Sequence, residues 1–194
     1  MIAVLRSFAI VGCCALLFAC ATTRQPKSSL EWQQRLGDLQ GSHSWAMGGR
    51  AAVALGTQGW QASMDWRQSA ADAEVHLSGP FGVGAVVLKQ TADGLSLNGA
   101  PPSDAVVAQV QERLGFQPPL DHLRFWLLGV PDPGAPAEVV QNDQDRAKQV
   151  TQDGWVVAYD RYLMTGHDLL PTRVILSRGD VRVRIVVDHW DWSQ

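Results

Sequence analysis

The side chains that could do chemistry are five histidines, the aspartates beside some of them, and three cysteines. The histidines are His43, His76, His122, His167 and His189, and Asp121, Asp168 and Asp188 each adjoin one. Neighbouring residues on a strand point to opposite faces, so Asp188-His189 is a poor acid–base pair on its own. The chain has no G-x-S-x-G elbow, no H-E-x-x-H, no cysteine spacing suited to zinc and no phosphate loop. The expectation is a non-enzyme, with no catalytic residue, no metal and no cofactor. The cysteines suggest other chemistry. Cys20 follows Leu17-Phe18-Ala19, and a small residue directly before a cysteine is what a lipoprotein signal peptidase reads. The thiol is then acylated and the cysteine becomes the new N-terminus.

The segment ahead of Cys20 fits that chemistry. It carries a single basic residue, Arg6, and an apolar run from Ser7 to Phe18. Such a run falls short of the roughly 20 apolar residues that span a bilayer and has the layout of an export signal. Ile10-Val11-Gly12-Cys13 is the better local match, but cutting there leaves an apolar core of only about six residues. Residues 1–19 are therefore expected to be a lipoprotein signal peptide and Cys20 the lipidated residue. Cys13 and Cys14 leave with the signal, so the mature chain has no disulfide to make and must rest on an apolar core. Each buried acyl methylene contributes about 0.8 kcal/mol, and two or more chains anchor firmly. Ala21 stands where aspartate often retains a lipoprotein at the inner membrane, which favours the outer membrane. The rest of the Cys20–Ser29 stretch is polar and serves as a tether, reaching about 30 Å when extended.

Residues 30–194 have the length of one domain, and the net charge of the whole chain is −3, which offers no basic field for nucleic acid. Trp32, Leu36 and Leu39 share one face of a short helix ended by Gly41. The period then becomes two: Ala51, Val53 and Leu55, then Trp60, Ala62, Met64 and Trp66, joined by the turn Gly56-Thr57-Gln58-Gly59. Val75 and Leu77 continue, Gly79-Pro80-Phe81-Gly82 interrupts, and further strands follow to Leu97. Two helical stretches occupy the middle: Val106, Val107, Val110 and Leu114 on one, and Leu120 to Leu128 on the other, ended by Gly129 and Pro131. The second has only Asp121, His122 and Arg124 as polar residues and is apolar on both sides, so it needs two partners. It is either a fully buried core helix or a lid over an apolar cavity. Asp132 to Asp145 reads as loop, and strands return from Trp155 to Val187.

Altogether about eight to eleven antiparallel strands surround two helices and follow a third, which implies one curved sheet with helices on its concave side. Eight Trp against five Phe and two Tyr supply wide, adaptable apolar surface. Val53, Leu55, Trp60, Ala62, Met64 and Trp66 are expected to line the concave face, and Leu123, Trp126 and Leu127 to form the lid. A one-residue slip would exchange every inward strand residue for its neighbour. Arg50, at the start of a strand, is either a solvated or salt-bridged residue or a hydrogen-bonding group near the cavity mouth or a partner.

These motifs resemble the LolB family of outer-membrane lipoprotein receptors. The matches are Gly49-Arg50-Ala51-Ala52, Leu77-Ser78-Gly79-Pro80-Phe81-Gly82, Leu123-Arg124-Phe125-Trp126-Leu127-Leu128-Gly129-Val130-Pro131, Gly154-Trp155-Val156-Val157-Ala158-Tyr159 and Asp188-His189-Trp190. They run in order from about Trp32 to Trp190. Phe18 before the cleavage site and Phe81 in place of a common leucine are departures. The resemblance implies a mainly β fold with helices (α+β), an incomplete, strongly curved antiparallel barrel with a helical lid over an apolar cavity. It also implies a monomer on the periplasmic face of the outer membrane, taking acylated lipoprotein cargo from the carrier LolA and passing it to outer-membrane lipid. The loop Gly79, Pro80, Phe81 and Gly82 matches the family's membrane-insertion loop; the alternative is that Phe81 folds back onto the barrel end. A rival reading is a lipid-binding or envelope-assembly lipoprotein of similar fold with different cargo.

Overall fold

The computed structural model describes residues 30–80, 84–166 and 168–192. Cys20 and the rest of the expected signal and tether, together with Phe81 and Gly82, lie outside the described residues. Helix α1 (Leu30–Gln40) precedes strands β1 (Ser44–Leu55), β2 (Gln58–Ser69), β3 (Asp72–Ser78), β4 (Val86–Thr91) and β5 (Gly94–Leu97). Helices α2 (Asp104–Leu114) and α3 (Leu120–Trp126) follow, and then β6 (Ala137–Gln141), β7 (Ala147–Gln152), β8 (Trp155–Thr165), β9 (Asp168–Arg178) and β10 (Val181–Asp191).

The strands form one antiparallel sheet in the order β5-β4-β3-β2-β1-β10-β9-β8-β7-β6. Each half is a meander, and the halves are joined where the first strand pairs with the last. The edges are β5 and β6, and the chain passes between them through α2 and α3, so the helices occupy the open side of an unclosed barrel. This is the curved sheet that the alternation implied, with the helices against its apolar face.

Two features differ from the sequence expectation. The first strand begins at Ser44 rather than near Gly49, and Gly48-Gly49 is a bulge inside it. A Cβ on Gly49 would stand 2.2 Å from the Val186 carbonyl oxygen, and one on Gly48 would stand 2.1 Å from the His189 ring. At Gly49 the neighbouring strand's backbone passes so close that only glycine fits, whereas at Gly48 the obstacle is a side chain. The second difference is β6, a short edge strand inside the stretch that reads as loop; its pairing to β7 is supplied by tertiary contact, not by its own alternation.

The core runs along one sheet face. Trp45 and Trp66 stack with ring centroids 5.9 Å apart, and Trp190 tilts against Trp45 at 5.4 Å. Among the described residues every member of the core cluster lies at or after Trp32, so a chain beginning after Cys20 keeps all of them. Arg35 of α1 is buried, its guanidinium bound to the Asp168 carboxylate and, at 2.6 Å, donating to the Leu169 carbonyl. That contact holds α1 on the β8–β9 hairpin. Desolvation lowers the Arg35 pKa, and the Asp168 charge opposes that effect.

Candidate functional site: the concave face under helix α3

The Pro118-Pro119 break starts α3, and Gly129 ends the turn that follows it, at φ +80°. There the Leu128, Gly129 and Val130 amides fold back onto the Phe125 and Trp126 carbonyls at 3.0 to 3.2 Å. A Cβ at Gly129 would sit 3.0 Å from both Pro171 and the Tyr162 hydroxyl, so the turn is packed as well as left-handed. Leu120, Leu123, Phe125, Trp126, Leu127, Leu128 and Val130 are all buried, as expected for a helix with partners on two sides.

The polar residues of α3 act at its rims. Arg124 lies over the Phe125 ring and donates to the Ala70 carbonyl of the β2–β3 turn at 3.2 Å. On the other side His122 stacks on Trp126 and shares a 2.7 Å hydrogen bond with Asp132. Beneath it, Gln152 of β7 accepts from the Trp126 indole at 2.9 Å and the Asp132 amide at 3.0 Å. Its amide nitrogen donates to the Asp132 and Ala135 carbonyls, each at 2.8 Å. The helix thus bridges the open face from the β2 side to the β7 side, with a polar latch at each end.

The expected cavity residues share the apolar face. Met47 is opposite Trp66, Ala51 opposite Ala62 and Val53 opposite Trp60, which puts Val53, Trp60, Ala62, Met64 and Trp66 on one side. They do not line an open void. Val53, Met64 and Trp66 are at most 4 % exposed and therefore meet protein atoms. Trp60 donates to the Leu114 carbonyl at 3.0 Å, and Leu55 packs where the C-cap Gly115 leaves room, so these two seat the end of α2. Ala62 is half-buried. The lid candidates Leu123, Trp126 and Leu127 point inward. Gly79 and Pro80 follow β3 at the rim of the outer face.

Sequence reasoning missed the latches. Gln152 looks like any strand glutamine, and Arg124 and His122 look like a solvated helix face. A crevice of about 220 Å³ opens beside the Arg124 latch, between Trp45, Phe125 and Leu128 on one side and Gln68, Ala70 and His43 on the other. It leads from the surface to the tryptophan cluster. Two core groups, the Trp155 indole N–H and the Tyr159 hydroxyl, have no hydrogen-bond partner among the described residues.

An unclosed antiparallel barrel spanned by an apolar helix is the architecture of the LolA/LolB class of lipoprotein-handling proteins. A crystal structure of a LolA superfamily protein from Nitrosomonas europaea superposes with a TM-score of 0.55 over 84 % of this chain and 93 % of that one, at 8 % identity, which shows a shared fold. The family model described as outer membrane lipoprotein LolB matches residues 43–190, and the chain belongs to the LolB family. Among relatives, the outer-membrane lipoprotein LolB of Nitrosococcus oceani is 33 % identical over 90 % of this chain and 92 % of its own length. That of Alkalilimnicola ehrlichii is 32 % identical over 93 % and 94 %. No helix among the described residues is long and apolar enough to cross a membrane.

Proposed function

We propose that this domain accepts lipoproteins from the periplasmic carrier LolA, holds their acyl chains beneath α3 and inserts them into the outer membrane. The observation that carries this reading is α3 itself, a helix apolar on both sides, laid across the open face of the sheet and held by polar latches at its rims. In the closed form the acyl site is filled by the protein's own side chains. Cargo enters by the crevice beside Arg124, the latch to Ala70 opens, and acyl chains take the place of contacts between α3 and the tryptophan floor. Such exchange requires only that the open form with cargo be favoured over the closed form. No bond is made or broken. A difference of about 1.4 kcal/mol at each handover, roughly two buried methylenes, makes transfer tenfold favourable.

The finer parts of the reading belong with it. Cys20 carries the acyl anchor, the domain faces the periplasm as a monomer, and residues 20–29 let it approach the bilayer. Phe81, flanked by a proline and glycines that favour a stiff, sharp turn, enters the lipid interface. Phe81→Glu is expected to leave cargo uptake intact and slow insertion; a variant that inserts at the normal rate would sink that role.

The main test uses a chain beginning after Cys20 mixed with carrier loaded with a labelled lipoprotein. Label moving to this domain is the expected result. Label remaining on a competent carrier, with the domain folded, would overturn the receptor reading and favour a lipid-binding lipoprotein with other cargo.

A further inference from the structure

A large concavity lies not under α3 but on the opposite, polar face of the sheet. It measures about 700 Å³, and Arg50, Arg173 and Arg184 line it. The register explains the cluster. Arg50 of β1 is opposite Val186 of β10, which in turn is opposite Arg173 of β9, and Arg184 is one outward position further along β10. Arg161 of β8 extends the row, directly opposite Arg173. Among the described residues, only Arg50 of these arginines has a carboxylate partner, Asp188 at 3.0 Å, and that pair is exposed. Arg161, Arg173 and Arg184 form no ion pair among the described residues.

Like charges set directly opposite on a sheet repel. A face that carries Arg161 against Arg173, with Arg184 alongside, is relieved when an anion lies between them. The chemistry of the wall narrows the anion. Guanidinium forks match phosphate oxygens bidentately. Ser63 and Ser78, opposite each other on β2 and β3, add hydroxyls that donate to the same kind of oxygen or accept from a polar headgroup. Gly79 and Pro80 form part of the rim, so this basic hollow opens beside the loop between β3 and β4.

We infer that the arginine-lined hollow on the outer sheet face binds the phosphates of anionic phospholipid headgroups and seats the domain on the bilayer surface. The acyl site under α3 and the headgroup site then lie on opposite faces of one sheet. This inference deepens the receptor reading, on which it rests for the domain's place beside a bilayer. It adds a contact that orients the domain independently of the acyl anchor.

The test is sedimentation of the chain beginning after Cys20 with vesicles, without carrier or cargo, so that its outcome is separate from that of the transfer assay. One set of vesicles is phosphatidylcholine alone and the other contains about one-third phosphatidylglycerol. Binding is expected on the anionic vesicles, weakening as salt shortens the screening length. R173Q/R184Q should lower affinity by about fivefold per arginine, or roughly 25-fold in all. R113Q/K148Q, which removes the same charge from α2 and β7, should lower it far less. Equal binding to both vesicle types, or equal loss in the two double variants, would overturn the proposal. Displacement by inorganic phosphate at matched ionic strength would assign the hollow to a free anion instead. Loss of label transfer from the carrier, with vesicle binding intact in R173Q/R184Q, would assign it to the carrier and equally overturn the lipid reading.

Discussion

Tyr159 shows how far a single buried group departs from what its residue type suggests. Its hydroxyl is enclosed in the core without a partner among the described residues, and burial holds its pKa well above the ordinary 10.0. Tyr162 is also raised, chiefly by burial, although its hydroxyl donates to the Ala147 carbonyl at 2.6 Å. The sign of the consequence is fixed. The folded state keeps the neutral phenol, so both groups are without effect below the ordinary value. Above about pH 10 the unfolded chain loses these protons while the folded chain holds them, and stability falls as pH rises. Tyr159→Phe removes an unpaired polar group and is expected to raise stability by about 1 kcal/mol. Its advantage should widen above pH 10, and urea midpoints at neutral and alkaline pH would show this; an advantage that shrinks there would refute it. The bulge glycines behave differently from each other. At Gly49 a methyl group meets backbone, and Gly49→Ala should cost about 2–3 kcal/mol in thermal unfolding. At Gly48 it meets the His189 ring, a side chain 62 % exposed and free to turn, so Gly48→Ala should cost clearly less.

At the scale of elements, the point of interest is how α3 is held. Its apolar residues would keep it buried anywhere on the concave face, and the latches fix where it lies. Gln152 uses both donors and both lone-pair directions on Trp126, Asp132 and Ala135. Gln152→Ala leaves those groups without partners and is expected to cost about 3 kcal/mol. Arg124→Gln removes the exposed latch to Ala70 and the guanidinium over the Phe125 ring, so its stability cost should be about 1–2 kcal/mol while cargo enters faster. Stopped-flow transfer of a labelled lipoprotein would measure this, and an unchanged or slower uptake rate would argue against the crevice as the entrance. Pro171 within β9 shows the same dependence on neighbours. It is accommodated opposite Tyr162, where the β8–β9 register shifts and no regular ladder hydrogen bond is required.

Across the whole molecule, the sheet order makes the chain's beginning and end its centre. β1 is paired with β2 and β10, and β10 with β1 and β9, so these strands have neighbours on both sides while β5 and β6 have one each. Amide exchange should therefore be slowest in β1, β2, β9 and β10 and fastest in β5 and β6. Uniform protection across the sheet would contradict that ordering. The same arrangement leaves α2 and α3 spanning the two least protected edges, where motion disturbs the sheet's centre least. The acyl site we propose there and the basic hollow on the far face are compatible in one scaffold.

The period-two runs from Ala51 to Trp66 and from Val181 to Val187 determined the strands, because a half-buried strand alternates whatever its neighbours are, whereas which alternate set faces inward was left to register and packing. The apolar stretch around Trp126 likewise determined a helix with two partners. The sequence pattern also carried the membership of the family, in motifs spaced along most of the domain. Other features depended on chain segments far apart. The β1–β10 pairing, the buried Arg35–Asp168 contact, the Gln152 node and the gathering of Arg50, Arg161, Arg173 and Arg184 all join residues with no local relation. Hydrogen-bond partners and charge neighbours are set by register between strands, and register is chosen by the packing of the whole sheet. For the same reason the close packing of Val53, Met64 and Trp66 was not legible: apolar residues facing inward look alike along the chain whether they line a void or close it, and only their contacts tell the two apart.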